Sequence, residues 1–136
     1  MDWEECKIKR YVKESLQDVD LINSLVNQSN KKIITDDFSP LNKDTSSTKF
    51  VNNYDSLREV LEAIAIKKGF KIYNHECFTA FLKEFMDLDS ESIDFDNFRK
   101  IRNSINYYGE DITIEDAESL ISKIRLLRKK LIKEFL

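Results

Sequence analysis

The residues of this chain best suited to chemistry lie in one octapeptide, Arg102-Asn103-Ser104-Ile105-Asn106-Tyr107-Tyr108-Gly109. At about 100° per residue, Phe98, Ile101, Ile105 and Tyr108 form an apolar stripe, and Arg102 and Asn106 sit side by side at its edge as i and i+4 neighbours. A planar guanidinium fork beside an amide is suited to holding a phosphate or a carboxylate through paired hydrogen bonds. The plainer alternative is an edge arginine that snorkels or pairs with an acid of the fold. Tyr107 lies on the opposite flank from Arg102, and with Tyr108 it offers aromatic area either to the core or to an interface. The lone histidine, His75, stands near a helix start, which suits a capping or surface residue. It becomes a candidate acid or base if folding carries it to Arg102. With one histidine, two separated cysteines and scattered carboxylates, no metal site is expected. Ser104 and Ser119 have no base at a suggestive spacing, and with glycine only at 69 and 109 there is no phosphate-cradling loop. No cofactor is expected.

These side chains need helices to position them. Asp2 with Glu5 has capping-box character, and Trp3, Val12, Leu16, Val19, Ile22 and Val26 follow a helical spacing, which predicts a first helix to about residue 29. Residues 35–48 hold the only proline, Pro40, among Asp, Asn and Ser, and read as a long polar loop. From Thr48, the residues Phe50, Tyr54, Leu57, Leu61 and Ile64 mark a second helix that Gly69 stops. Asn74 caps a third, with Phe78, Phe81, Leu82 and Phe85 buried, ending near Asp87. Ser92 or Asp94 opens a fourth, closed by Gly109, and the acids from Glu84 to Asp96 read as a solvated connection into it. Thr113 with Asp116 opens a fifth, whose Ala117, Leu120, Ile124, Leu127 and Leu131 keep the helical period. No strand pattern survives comparison. The expectation is an all-α chain, a single up-and-down bundle of about five helices spanning residues 1–136.

Composition agrees: 136 residues suit one core, and two glycines and one proline disfavour turn-rich β architectures. A net charge of −3 argues against a domain that coats duplex DNA by bulk charge. The local exception is the basic end, where Lys123, Arg125, Arg128, Lys129, Lys130 and Lys133 face only Glu134. Such a tail could touch phosphate, although cations also complement a helix C-terminus. No apolar run is long enough for a membrane span, and the acidic start is unlike a signal peptide, so the chain reads as soluble and cytoplasmic. Cys6 and Cys77 are too few for a disulfide framework and read as two reduced, buried thiols.

Arg102 followed by the polar Asn103, preceded by Tyr54, Leu57-Arg58-Glu59, Gly69 and Tyr73-Asn74-His75-Glu76-Cys77-Phe78, resembles the HEPN superfamily, small helical bundles named for nucleotide binding in higher eukaryotes and prokaryotes. The resemblance covers roughly residues 50–132. Many members carry an arginine, a polar follower and, after four to six intervening residues, a histidine; here four residues separate Arg102 from Tyr107, which stands at the histidine position. The resemblance implies RNA or nucleotide-phosphate binding through Arg102, Asn103 and Asn106, in a two-fold homodimer whose motif helices share one cleft, within a toxin–antitoxin or defence system. In RNA-cleaving members it implies metal-independent attack of the 2′-hydroxyl on the adjacent phosphate, with histidine moving protons and arginine stabilising the phosphate. A tyrosine with an ordinary pKa near 10 is a poor proton shuttle at neutral pH. Binding without efficient catalysis is therefore the leading expectation. A ribonuclease using Arg102 with Tyr107 or His75 is the second, and a helical protein adaptor using the acidic segment and the long loop is the third. A nucleotidyltransferase partner is also implied, but the tyrosine such partners modify corresponds here to Gly109.

Overall fold

The longest stretches of helical periodicity become the longest helices. The computed structural model describes residues 1–136, in which α1 (Trp3–Ile8), β1 (Val12–Glu14), α2 (Val19–Phe38), α3 (Ser46–Lys67), β2 (Phe70–Ile72), α4 (His75–Ala80), α5 (Asp89–Tyr108) and α6 (Ile114–Phe135) follow in order. A wider π-helical turn, Phe81–Phe85, continues α4. The architecture is an all-α helical bundle with one small two-stranded sheet. Helix α3 is its axis: Phe50, Tyr54, Leu57, Leu61 and Ile64 are buried as their spacing predicts. Against it lie α2 and α6, the latter through Ile124, Leu127 and Leu131, while Phe78 and Phe81 and, from α5, Phe95 and Phe98 complete the core. Four of the expected helix-end residues act as such. The side chains of Asp2, Asn74 and Thr113 accept from the backbone N–H groups of Glu5, Glu76 and Asp116, and Gly109 ends α5 with φ +65°.

Six helices replace the expected five because the first one is divided. Its helical stripe is not a buried face: Leu16 is 88% and Val19 64% exposed. Arg10 takes a left-handed φ of 62°, Val12–Glu14 pairs antiparallel with Phe70–Ile72, and Asp18 then caps α2 by accepting from Leu21 N. Burial of Val12 and Ile72 on the bundle, gained only in the strand pair, outweighs local helical preference. The same pairing overturns the expectation of no strands. The polar loop is shorter than 35–48, since α2 continues to Phe38 and α3 starts at Ser46; Asn42 Oδ1 closes the turn by accepting from Asp44 N and Thr45 N.

The acidic connection is solvated only in part: Glu84, Asp87, Asp89 and Asp94 are exposed, but Glu91 is buried. Helix α5 begins at Asp89, ahead of the expected Ser92 or Asp94; Glu84 accepts from Trp3 N at 2.7 Å, Glu91 pairs with Lys130 at 2.6 Å and Asp96 with Arg99 at 2.8 Å. The basic end is likewise engaged. Arg125 reaches Asp36 and Asp37 on α2, and Arg128 Nε donates to Ser29 Oγ at 2.8 Å, so these cations fasten α6 to α2. Cys6 and Cys77, expected as separate thiols, form a disulfide, because α1 packs beside α4 and brings their Cα atoms to 6.0 Å. Phe85 and Tyr108, assigned to buried faces, are exposed, because each lies at the end of its helix where the bundle no longer covers it. No helix is long and apolar enough to cross a membrane.

Candidate anion-binding pocket

Helices α4 and α5 meet over the middle of α3, and between them opens a pocket of about 340 Å³ lined by Arg99, Arg102, Asn103 and Tyr107 of α5, His75 and Glu76 of α4, and Tyr73 and Asn74 just before α4. Two of the sequence-derived site residues, Arg102 and Asn103, are neighbours here as expected. Tyr107 joins them by an unexpected route. Its ring folds back from the far flank, so that the Arg102 guanidinium lies 5.7 Å from the ring centroid and Arg102 Nη1 donates to Tyr107 Oη at 3.3 Å. Asn106 points elsewhere, into a shallow groove with Ser47, Thr48 and Asn52 of α3. The i, i+4 pairing of Arg102 with Asn106 therefore does not form one binding fork.

Charge in the pocket is unequally matched. Arg99 donates twice to Asp96 Oδ1, from Nε at 3.0 Å and Nη2 at 2.8 Å. Arg58, nearby on α3, pairs with Glu62 at 2.9 Å, and the pocket's own acid, Glu76, is held by the N-terminal ammonium at 3.0 Å. Arg102 has no carboxylate within ion-pair distance; its partners are the neutral oxygens of Asn103 and Tyr107, each at 3.3 Å, and its Nε is buried without a hydrogen bond. The unsatisfied Nε is sealed from the pocket, but the terminal nitrogens reach only long contacts with neutral oxygens, and an anion in the pocket would give them a charged acceptor. Beneath it, the guanidinium lies 5.9 Å from the ring centroid of the fully buried Tyr54.

His75 is the residue that folding adds. Asn74, one position earlier, is the cap, so His75 is free of that duty and its Nδ1 lies 3.0 Å from Tyr54 Oη. Burial pushes the Tyr54 hydroxyl well above its ordinary range, and burial with Arg58, Arg102 and Arg99 pushes His75 down to about 4. Both groups are neutral at pH 7. The Tyr54 hydroxyl proton has no acceptor other than Nδ1, so we assign Nδ1 as acceptor and Nε2 as the protonated nitrogen. A neutral imidazole in that tautomer offers an N–H to an anion. Arg99, Tyr54 and Tyr73 escaped the sequence reading. Arg99 could have been found from its i, i+3 spacing to Arg102; Tyr54 is indistinguishable from an ordinary core residue.

The His75 shift sets a pH dependence. The unfolded chain takes up this proton near pH 6.5 and the folded chain only near 4, so between them the unfolded state binds more protons and stability falls as pH falls. Above about 6.5 the group adds no slope, and below about 4 its loss is complete. The full shift corresponds to roughly 3 kcal/mol, which solvent screening at a half-exposed ring reduces to about 1–2. Urea unfolding across this range should show that slope in the wild type and lack it in His75→Gln. Glu91, which Lys130 holds below its usual 4.5, loses its contribution only below that value and leaves the upper window clear.

No protein-family model, curated protein or solved structure matches the chain.

Proposed function

We propose that this chain is a HEPN-like module that binds RNA or a nucleotide phosphate in the Arg102 pocket and does not cleave it efficiently. The observation that carries the reading is Arg102 itself: a guanidinium without a carboxylate partner, in a pocket whose one acid, Glu76, and other arginine, Arg99, are already paired. Asn103 adds an amide and His75 an imidazole N–H. Fixed donors of this kind select a tetrahedral anion by geometry more than by bulk charge, which accords with a chain of net charge −3. The resemblance adds a homodimer in which two such pockets share a cleft, and a place in a toxin–antitoxin or defence system.

End-labelled RNA, in chelator, with the wild type and Arg102→Ala tests binding and cleavage together. The expected result is intact RNA retained by the wild type and bound about 10-fold or more weakly by the variant, the loss of a charge-assisted contact worth about 1.5–3 kcal/mol. Equal binding by the two proteins would sink the reading.

One observation favours a second reading. His75 and Arg102, far apart in sequence, line the same pocket, so an imidazole is available beside the arginine although the motif itself carries Tyr107. A metal-independent ribonuclease would use Arg102 on the phosphate and His75 as its proton carrier. The assigned tautomer and the lowered His75 pKa both disfavour proton abstraction at neutral pH. Chelator-resistant cleavage lost in both Arg102→Ala and His75→Ala would reverse that order.

A further inference from the structure

The two-stranded sheet presents a second surface beside this pocket. In the β1–β2 ladder Lys13 stands directly opposite Lys71, and because Val12 and Ile72 are buried, strand alternation turns both lysines outward. Two residues along from the lysine pair, Tyr73 N donates to Tyr11 O at 2.8 Å, which sets Tyr11 and Tyr73 opposite each other on the same outer face. Tyr73 is 56% exposed, and the Lys13 and Lys71 ammonium groups lie 5.3 and 5.7 Å from its ring centroid. Neither lysine has a carboxylate within ion-pair distance, unlike Lys7, Lys9, Lys32, Lys49, Lys100 and Lys130. Like charges directly opposite in a sheet are unfavourable, and the ring offsets only part of the repulsion. Tyr73 also forms part of the wall of the Arg102 pocket, so the two surfaces are continuous.

We propose that Tyr73, with Lys13 and Lys71, is a base-stacking platform for a single-stranded nucleic acid whose adjacent phosphate occupies the Arg102 pocket. The proposal rests on the phosphate reading above and adds the class of ligand. An exposed ring ringed by unpaired ammonium groups matches an unstacked base with its flanking phosphates: the base covers the ring and the lysines move onto the phosphates. A duplex keeps its base faces stacked inside and cannot use the ring, which is why the single strand is favoured.

Fluorescence anisotropy with a labelled oligouridylate, an abasic strand of equal phosphate number and an RNA duplex separates the possibilities. The wild type should bind oligouridylate about 10-fold more tightly than either of the others, a typical contribution of one stacked base. Tyr73→Leu should erase that preference and Tyr73→Phe should keep it, which guards against a loss caused by misfolding. Lys13→Gln/Lys71→Gln should lower the magnitude of the slope of log affinity on log salt by about 1.4, at about 0.7 for each phosphate contact to a single strand. Retention of wild-type affinity by Tyr73→Leu and by the double lysine variant, with loss in Arg102→Ala, would give the sheet face to another kind of partner and overturn the platform alone. Equal binding of duplex and single strand would overturn it as well. Wild-type protein that ignores every strand, or Arg102→Ala that binds like wild type, would instead remove the phosphate reading beneath it.

Discussion

Replacing Asp36 with alanine should lower the free energy of unfolding by about 3–5 kcal/mol, the range expected when one member of a buried ion cluster is removed and its partners stay charged. Asp36 is 4% exposed at the last turn of α2; Lys49 Nζ approaches its Oδ1 at 3.0 Å, and Arg125 Nη2 meets its Oδ2 at 2.5 Å. The Lys49 contact with Oδ1 is one of charge: two of the ammonium's three N–H groups donate to the backbone carbonyls of Asp36 and Ser39, both at 2.8 Å, and the third is not aligned on Oδ1, which has no hydrogen-bond donor. The carboxylate thus serves chiefly to neutralise a nearly buried lysine. Arg125 would keep Asp37 and Asn53 after the substitution, so most of the penalty falls on Lys49. Asp36→Ala/Lys49→Met, which removes the stranded cation as well, should regain about 1–2 kcal/mol of the loss. Urea midpoints of the three proteins decide it. A single-variant loss under about 1 kcal/mol would mean that water relieves the buried charge and that the cluster does not fasten α2, α3 and α6.

Reduction of the Cys6–Cys77 disulfide should be the other large effect. The bond spans 71 residues, and a loop of that length restricts the unfolded chain by about 4.4 kcal/mol. For a domain of this size that corresponds to a fall in Tm of roughly 15 °C. Equilibrium unfolding with and without a phosphine reductant measures it, and Cys6→Ala/Cys77→Ala should show no reductant sensitivity. Coincident wild-type curves would show that the thiols are not joined. The position of the bond gives it a bearing on the pocket. Cys77 lies two residues after His75 in the six-residue helix α4, whose first turn also carries Glu76 against the N-terminal ammonium. Two ties to the N-terminal segment, one covalent and one ionic, therefore fix the short helix that supplies His75.

Much of the secondary structure was legible because it depends on neighbours within a turn. The span of α3 follows from the spacing of Phe50, Tyr54, Leu57, Leu61 and Ile64, the start of α6 from the Thr113 hydroxyl, the start of α4 from Asn74 and the end of α5 from Gly109. The same local logic picked out Arg102 at the edge of the α5 stripe, and the pocket does open around it. It failed at the first helix, where Val12 and Val19 kept the helical spacing but the strand pairing of Val12 with Ile72 prevailed. It also misjudged particular charges: Glu91, Arg125, Arg128 and Lys130 looked free because their partners lie on other elements.

The sequence by itself determined where most helices start and stop and which arginine stands apart, since capping and amphipathic periodicity act between residues three or four positions apart. Tertiary structure alone decided that Cys6 meets Cys77, that Lys13 opposes Lys71, and that Tyr54 and His75 stand beneath and beside Arg102. Those meetings join residues from distant parts of the chain, and it is burial of the shared core, felt only once α3, α4 and α5 pack together, that brings them into contact.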